Sequence, residues 1–362
     1  MKIIVKLSSN LINPDNEYKI DVVSKICGEI ARLTEQGHQI IIVSSGAVMH
    51  GVRTLGYDRK PDTVPLLQSC AAIGQITLMK RYWDALSLHR MTPAQILVST
   101  EDFSNRKRYL NLRNTINTLL SQDVIPVFNE NDTINTEELK FGDNDKLSSV
   151  ITMMMNFDML VILTDVDGVY DSNPKTNPDA RLIPKITKAD MPQIEAGDEV
   201  SKFSSGGMKT KLTSALDSTK GGIDVFIGNG FKTSLSRIID GTETGTYILH
   251  DESDKTNARM KWLGFSPISN AEIVVDNGAM IALTKKQSSL LASGITDVIG
   301  DFAHGDLVSI TSGGRKIAQG LTNFSSADLD KIKGMKSSDF SKYIDNCDYE
   351  VVIHRNNLYL LD

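Results

Sequence analysis

The sequence contains no run of about 18 apolar residues, so nothing in it reads as a membrane-spanning helix. Cysteine is scarce. Cys27, Cys70 and Cys347 are odd in number and far apart, which excludes a disulfide framework and reads as reduced thiols in a cytoplasmic protein. The six histidines are equally scattered. No H-x-x-x-H or C-x-x-C pair is present, so the usual zinc signatures are missing. There is no G-x-x-x-x-G-K-[ST] loop. Positive charge is not in excess either: 39 Lys and Arg against 45 Asp and Glu leave a net charge of −6, which argues against non-specific nucleic-acid binding. Heptads, internal repeats and low-complexity tracts are absent.

What remains is the composition of a globular chain, 40% hydrophobic and 23% charged, at a length of 362 residues that favours two domains. The opening "MKIIVKLSSNL" is too short and β-branched for a signal peptide and reads as a buried strand. Further apolar, Val/Ile-rich runs at 39–44, 93–98, 124–128, 159–164 and 223–227 fit strands buried on both faces. Amphipathic stretches of helical length lie between them, at 18–36, 64–87, 106–121, 146–156 and 208–220. The first of these ends at Gly37, a residue suited to a helix C-cap. The alternation predicts an α/β domain with a mainly parallel sheet and helices on both faces over 1–252. A charged linker follows at 253–266. A smaller, mostly β domain at 267–362 has Asp276-Asn277-Gly278 and Ser312-Gly313-Gly314 as turns between strands.

In a parallel sheet, ligands gather beyond the carboxyl ends of the strands. Those ends read Lys6-Leu7-Ser8-Ser9, Ser44-Ser45-Gly46, "NENDTIN" from Asn129, Thr164-Asp165-Val166-Asp167 and Gly228-Asn229-Gly230. Such a rim suits a small polar ligand together with phosphates. Lys6 stands inside an apolar strand, where an ammonium is costly unless paired. It either snorkels to water from the strand end or is aimed at a phosphate. "GDND" at 142–145 is either an Asx-rich helix cap, favoured by the helix dipole, or part of a site that reads amino and carboxylate groups. "SSGGMKTK" at 204–211 is either a solvated surface loop or a helix N-terminus that attracts an anion with help from its lysines. "NRKRYLNLRN" is a solvated basic face, a lid or a subunit contact. Met153-Met154-Met155 reads as core.

Taken together, "VKLSS", "IIIVSSGAVMHG", "LQSCAAIGQ", "IPVFNENDTI", "FGDNDKLS", "LTDVDGVYDSNP" and "SSGGMKTKL" resemble the amino-acid kinase family, and its glutamate 5-kinase branch in particular. The tail resembles a PUA domain. The resemblance implies a three-layer αβα sandwich that moves the γ-phosphoryl group of ATP, with Mg²⁺, onto the side-chain carboxylate of L-glutamate, the first step towards proline. Lys6 and Lys211 would neutralise the transferring phosphoryl group, and Asp145 would orient both. Ser45, Asp132 and Asn144 would bind glutamate, Asp132 through its ammonium. Thr164 and Asp165 would line the nucleotide site, together with Lys6. Ser205, Gly206, Gly207, Met208, Lys209, Thr210 and Lys211 would wrap the phosphates. Feedback inhibition by proline and a homo-oligomer, tetramer or dimer, belong to the same expectation.

The sequence departs from the family at Ser8, where a glycine is usual after the strand-one lysine and its neighbour. Two other readings compete. One is a kinase of the same fold acting on aspartate or N-acetylglutamate; Asp132 suits a free ammonium and argues against the acetylated acid. The other is an RNA-binding protein built on its C-terminal domain. From Pro267 onwards that domain carries nine Lys and Arg against twelve Asp and Glu, a poor match to a phosphate backbone.

Overall fold

The computed structural model describes residues 1–13, 21–134, 144–174, 176–187, 190, 206–251, 271–286, 288–344 and 349–361. The chain divides into two compact units, residues 1–99 with 113–255, and 100–112 with 256–362.

The first unit is built on eight strands: β1 (Lys2–Leu7), β2 (Gln39–Val43), β3 (Pro93–Val98), β4 (Ile125–Glu130), β5 (Met159–Thr164), β6 (Lys185–Ile186), β7 (Asp224–Asn229) and β8 (Thr246–Ile248). Their order is β3-β4-β2-β1-β5-β7-β8-β6. Every pairing is parallel except β7 with β8. Among the described residues up to 220, the helices are α1 (Ser9–Ile12), α2 (Val22–Glu35), α3 (Ala47–Thr54), α4 (Val64–Ser87), α5 (Glu101–Ser104), α6 (Arg106–Ser121), α7 (Asn144–Met155) and α8 (Gly206–Lys220).

Strand alternation divides the sheet into two faces. Ile3, Val5 and Leu7 of β1 join Ile40 and Ile42 of β2 in one core with α2 and with Leu78 and Tyr82 of α4. The alternate residues, Ile4 and Lys6, look to the other face, where Lys6 meets α7. The unit is therefore three layers, helix on sheet on helix, and β1 lies in its centre. The apolar strand runs are legible because both faces are covered. Helix α2 starts where Asp21 accepts hydrogen bonds from the Val23 and Ser24 N–H groups. It stops where Gly37 takes φ 85° and donates its N–H to Thr34. Tyr18 to Ile20, expected in that helix, lie outside the described residues. Helices α3 and α4 cross at a pair of glycines. A Cβ on Gly74 would stand 1.8 Å from the Ala47 carbonyl oxygen, and one on Gly51 would stand 1.9 Å from that of Cys70. The three methionines at 153–155 are core, as expected.

The second unit holds a five-stranded sheet: β9 (Glu272–Val275), β10 (Ile295–Ile299), β11 (Leu307–Ser312), β12 (Arg315–Leu321) and β13 (Leu358–Leu360), ordered β10-β9-β11-β12-β13. Ser312 and Arg315 close a hairpin over Gly313 and Gly314, both at positive φ, as their sequence predicts. Asp276-Asn277-Gly278 is not a turn between strands. It opens a helix, Asn277–Lys286, because the Asp276 carboxylate accepts the Ala279 N–H at 2.7 Å and caps the first turn. Asp-Asn-Gly serves a hairpin and a helix start equally well, and only the chain beyond decides. The expected linker at 253–266 lies outside the described residues.

Candidate active site

The carboxyl ends of β1, β2, β4, β5 and β7 supply one set of polar groups, and the starts of α7 and α8 supply another. At their meeting point Asp145, the second residue of α7, is wholly buried and carries two lysines. Lys6 Nζ lies 2.5 Å from its Oδ1, and Lys211 Nζ, from α8, lies 3.0 Å from its Oδ2. The two lysine side chains are only 2% and 12% exposed. A carboxylate with two cations is a net positive centre, held in a dry environment where its field is little screened. That is the electrostatics an incoming polyanion requires. Lys6 is paired, so a strand-end lysine reaching for water is not what this residue is.

Beside it, Asn144 begins α7. Its Nδ2 donates to the Ser44 carbonyl (2.6 Å), Ser45 Oγ (3.0 Å) and Asn129 Oδ1 (2.9 Å). Those acceptors fix which way the amide faces, and Oδ1 is left buried with no hydrogen-bond partner among the described residues. The chain of amides continues to Gln95, exposed on the edge strand β3. Asn129 Nδ2 donates to Gln75 Oε1 at 2.9 Å, and Gln75 Nε2 donates to Gln95 Oε1 at 3.2 Å. Ser44 Oγ and Tyr82 OH are 2.9 Å apart, and burial raises the Tyr82 phenol well above its ordinary range. Asp132 lies in the turn that follows β4, half-buried.

On the far side of β1, Thr164 Oγ1 and Asn10 Nδ2 both donate to the Asp165 carboxylate at 3.0 Å. Asn229 Nδ2 donates to Asp167 Oδ1 (2.8 Å), which also accepts Lys232 Nζ (2.9 Å). The turn at Gly230 and Phe231 is held by Lys25, whose Nζ donates to the carbonyls of Gly230, Phe231 and Thr233. Gly206, Gly207, Met208, Lys209 and Thr210 form the start of α8, with Lys209 and Thr210 exposed. Lys209 and Lys211 are two residues apart on a helix and so face different ways; Lys211 is the one that meets Asp145. Ser205, like Gly142 and Asp143, lies outside the described residues.

The structure thus brings together Lys6, Asp145, Lys211, Asn144 and Ser45, with Asp132, Thr164 and Asp165 on the same strand-end rim. Sequence reasoning did not single out Gln75, Gln95 or Tyr82. The one signal was a glutamine on the apolar helix stretch "CAAIGQITL". Among the described residues no three His, Cys, Asp or Glu side chains group as a metal cage, and no helix is long and apolar enough to cross a membrane.

Comparison with known proteins accords with this fold. Residues 1–229 match the amino acid kinase family, and residues 271–344 match the PUA domain. The chain is 41% identical to a glutamate 5-kinase of Syntrophotalea carbinolica over 362 residues, 99% of this chain and 96% of that protein. It is 39% identical to a glutamate 5-kinase of Pelobacter propionicus, over 99% of this chain and 97% of that one. Among solved structures, carbamate kinase from Giardia lamblia bound to AMP-PNP superposes with a TM-score of 0.50 at 18% identity. It covers 69% of this chain and 98% of its own, which shows the shared fold.

Proposed function

This chain belongs to the amino acid kinase family, and we propose that it is a glutamate 5-kinase: it transfers the γ-phosphoryl group of ATP to the side-chain carboxylate of L-glutamate, giving L-glutamyl 5-phosphate for proline synthesis. The observation that carries the reading is the buried Lys6–Asp145–Lys211 constellation. Relatives of that name, about 40% identical over nearly the whole chain, supply the acceptor.

The reaction needs no general base, because a carboxylate is already a nucleophile. Its oxygen forms a bond to the γ-phosphorus while the bond to the β,γ-bridging oxygen breaks, and ADP leaves with that electron pair. The obstacle is the meeting of two anions, so catalysis consists of positioning and charge stabilisation. Lys6 and Lys211 neutralise the phosphoryl oxygens from fixed positions, and Asp145 keeps the two ammoniums apart and aligned. Asn144 offers its unpartnered Oδ1 to a donor on the substrate, and Asp132 pairs with the substrate ammonium. Ser45 completes the glutamate subsite, and Thr164, Asp165 and the start of α8, from Ser205 to Lys211, hold the nucleotide. ATP brings Mg²⁺ bound to its own phosphates and water. The described residues offer no cage of three or more carboxylates for the ion.

The kinase reaction is assigned to residues 1–252, with 253–266 as linker and 267–362 as the PUA unit, in a cytoplasmic homo-oligomer inhibited by proline. Buried free thiols at Cys27 and Cys70 fit a reducing compartment.

The test is ADP release in the presence of ATP, Mg²⁺ and L-glutamate. Lys211→Ala should lower kcat by roughly 10²–10³ with little change in KM for glutamate. Asp132→Ala should mainly raise that KM. Turnover that is indifferent to glutamate, or to Lys211, would contradict the assignment.

A further inference from the structure

Ser8 follows β1 directly, and the strand geometry runs through it. Its backbone is extended (φ −72°, ψ 156°), and its N–H donates to the Leu163 carbonyl of β5 at 3.1 Å. Side chains two apart on a strand share a face, so Ser8 projects from the same face of the sheet as Lys6. It lies roughly 6.5 Å further towards the carboxyl rim. Leu7, between them, belongs to the opposite core.

Ser8 is 7% exposed, and its Oγ is buried with no hydrogen-bond partner among the described residues. It does not cap α1, which starts at the next residue. Three neighbouring hydroxyls of the rim are engaged: Ser44 with Tyr82, Ser45 with Asn144, Thr164 with Asp165. A buried hydroxyl with nothing to bond is disfavoured, and one beside a cationic centre is placed for an anion. Because the backbone N–H is committed to the sheet, the hydroxyl is the donor that this residue has to offer.

We propose that Ser8 Oγ donates a hydrogen bond to an oxygen of the transferring phosphoryl group, next to Lys6, and is a further catalytic residue of this enzyme. The inference rests on the kinase reading above. The proton stays on the serine; the hydroxyl acts as a fixed dipole towards the phosphoryl oxygen, a charge-assisted bond that is among the stronger kinds. Phosphate, rather than the glutamate carboxylate, is the ligand because Ser8 shares a face with Lys6, the lysine proposed above to neutralise the phosphoryl oxygens, while the glutamate subsite is drawn from Asn144, Ser45 and Asp132.

Two readouts test it. The first needs no glutamate: the affinity of AMP-PNP relative to ADP, measured by calorimetry on the full chain. Ser8→Ala should lower that preference by about tenfold, the effect of one hydrogen bond to a charged group, and leave ADP affinity unchanged. The second is kcat/KM for ATP, which should fall by at least as much. Ser8→Gly should behave like Ser8→Ala, and Ser8→Thr, which keeps a hydroxyl, should recover part of the loss. An AMP-PNP preference within twofold of the parent in both the alanine and glycine variants would overturn the proposal. So would an equal loss for ADP and AMP-PNP, which marks a purely structural role. If the parent binds AMP-PNP yet never phosphorylates glutamate, the substrate assignment fails while the binding ratio still decides Ser8. A parent that binds no nucleotide overturns both.

Discussion

Replacing Asp145 with asparagine keeps the side-chain volume and removes the charge that two buried ammoniums share. Deleting one member of a buried ion pair costs about 3–5 kcal/mol. Here Lys6 and Lys211, 2% and 12% exposed, lose the same carboxylate, so the upper end of that range applies. In a unit of this size each kcal/mol moves the unfolding midpoint by roughly 2–4 °C. The expected loss is therefore about 10–20 °C, read by differential scanning calorimetry as the shift of one transition. Lys146→Met is the control. Its pair with Asp217 is as short, 2.6 Å, but the side chains are 37% and 24% exposed. Solvent screening holds its contribution to about 1 kcal/mol or less. Two further results follow from the same logic. Lys6→Met combined with Asp145→Asn should be more stable than Asp145→Asn alone, since one stranded charge is gone. Millimolar phosphate should restore more stability to Asp145→Asn than to the parent, because the anion replaces the missing charge. An Asp145→Asn midpoint within about 2 °C of the parent would refute the electrostatic account.

Other substitutions probe the supports of the site. Gly74→Ala gains up to about 1 kcal/mol of helix propensity, but its Cβ would strike backbone atoms of α3, so a net loss of about 3 kcal/mol or more is expected in denaturant titration. Gln75→Leu strands the Asn129 amide and loosens Asn144, so KM for glutamate should rise about tenfold while ADP affinity holds. His50 is held down to about 4 by burial and by Arg81 and Arg53. The unfolded chain therefore takes up its proton first, and the stability contributed by neutral His50 is full above about pH 6.5 and falls away towards pH 4. The parent should lose more stability across that window than His50→Gln, by up to about 3 kcal/mol in urea titrations at each pH; identical slopes would contradict it.

Much of the first unit was legible because doubly covered strands read as apolar runs, and Lys6 was conspicuous inside one. The short strands β6 and β8 were not legible. Two or three residues carry no periodicity; β8 is placed by pairing with β7, and β6 by pairing with β8. In the second unit the Asp276 cap was misread as a turn, since local chemistry fits both. The site divides in the same manner. Strand-end polar residues follow from topology, but Asp145 meets Lys211 66 positions away in sequence, across packed helices, a distance that spacing cannot predict. Gln75 looked like an ordinary polar residue on an apolar helix. Its importance comes from the buried amide of Asn129 and the exposed amide of Gln95, which only the fold brings to it.

The central claim is the chemistry at that site, and acyl phosphate trapping tests it most directly. The purified chain would be incubated with ATP, Mg²⁺ and hydroxylamine, and with L-glutamate, L-aspartate or N-acetyl-L-glutamate in parallel. The account predicts γ-glutamyl hydroxamate from L-glutamate, with little from the other two acids. Hydroxamate from another acid in preference to glutamate, or from none by folded protein that binds ATP, would contradict it.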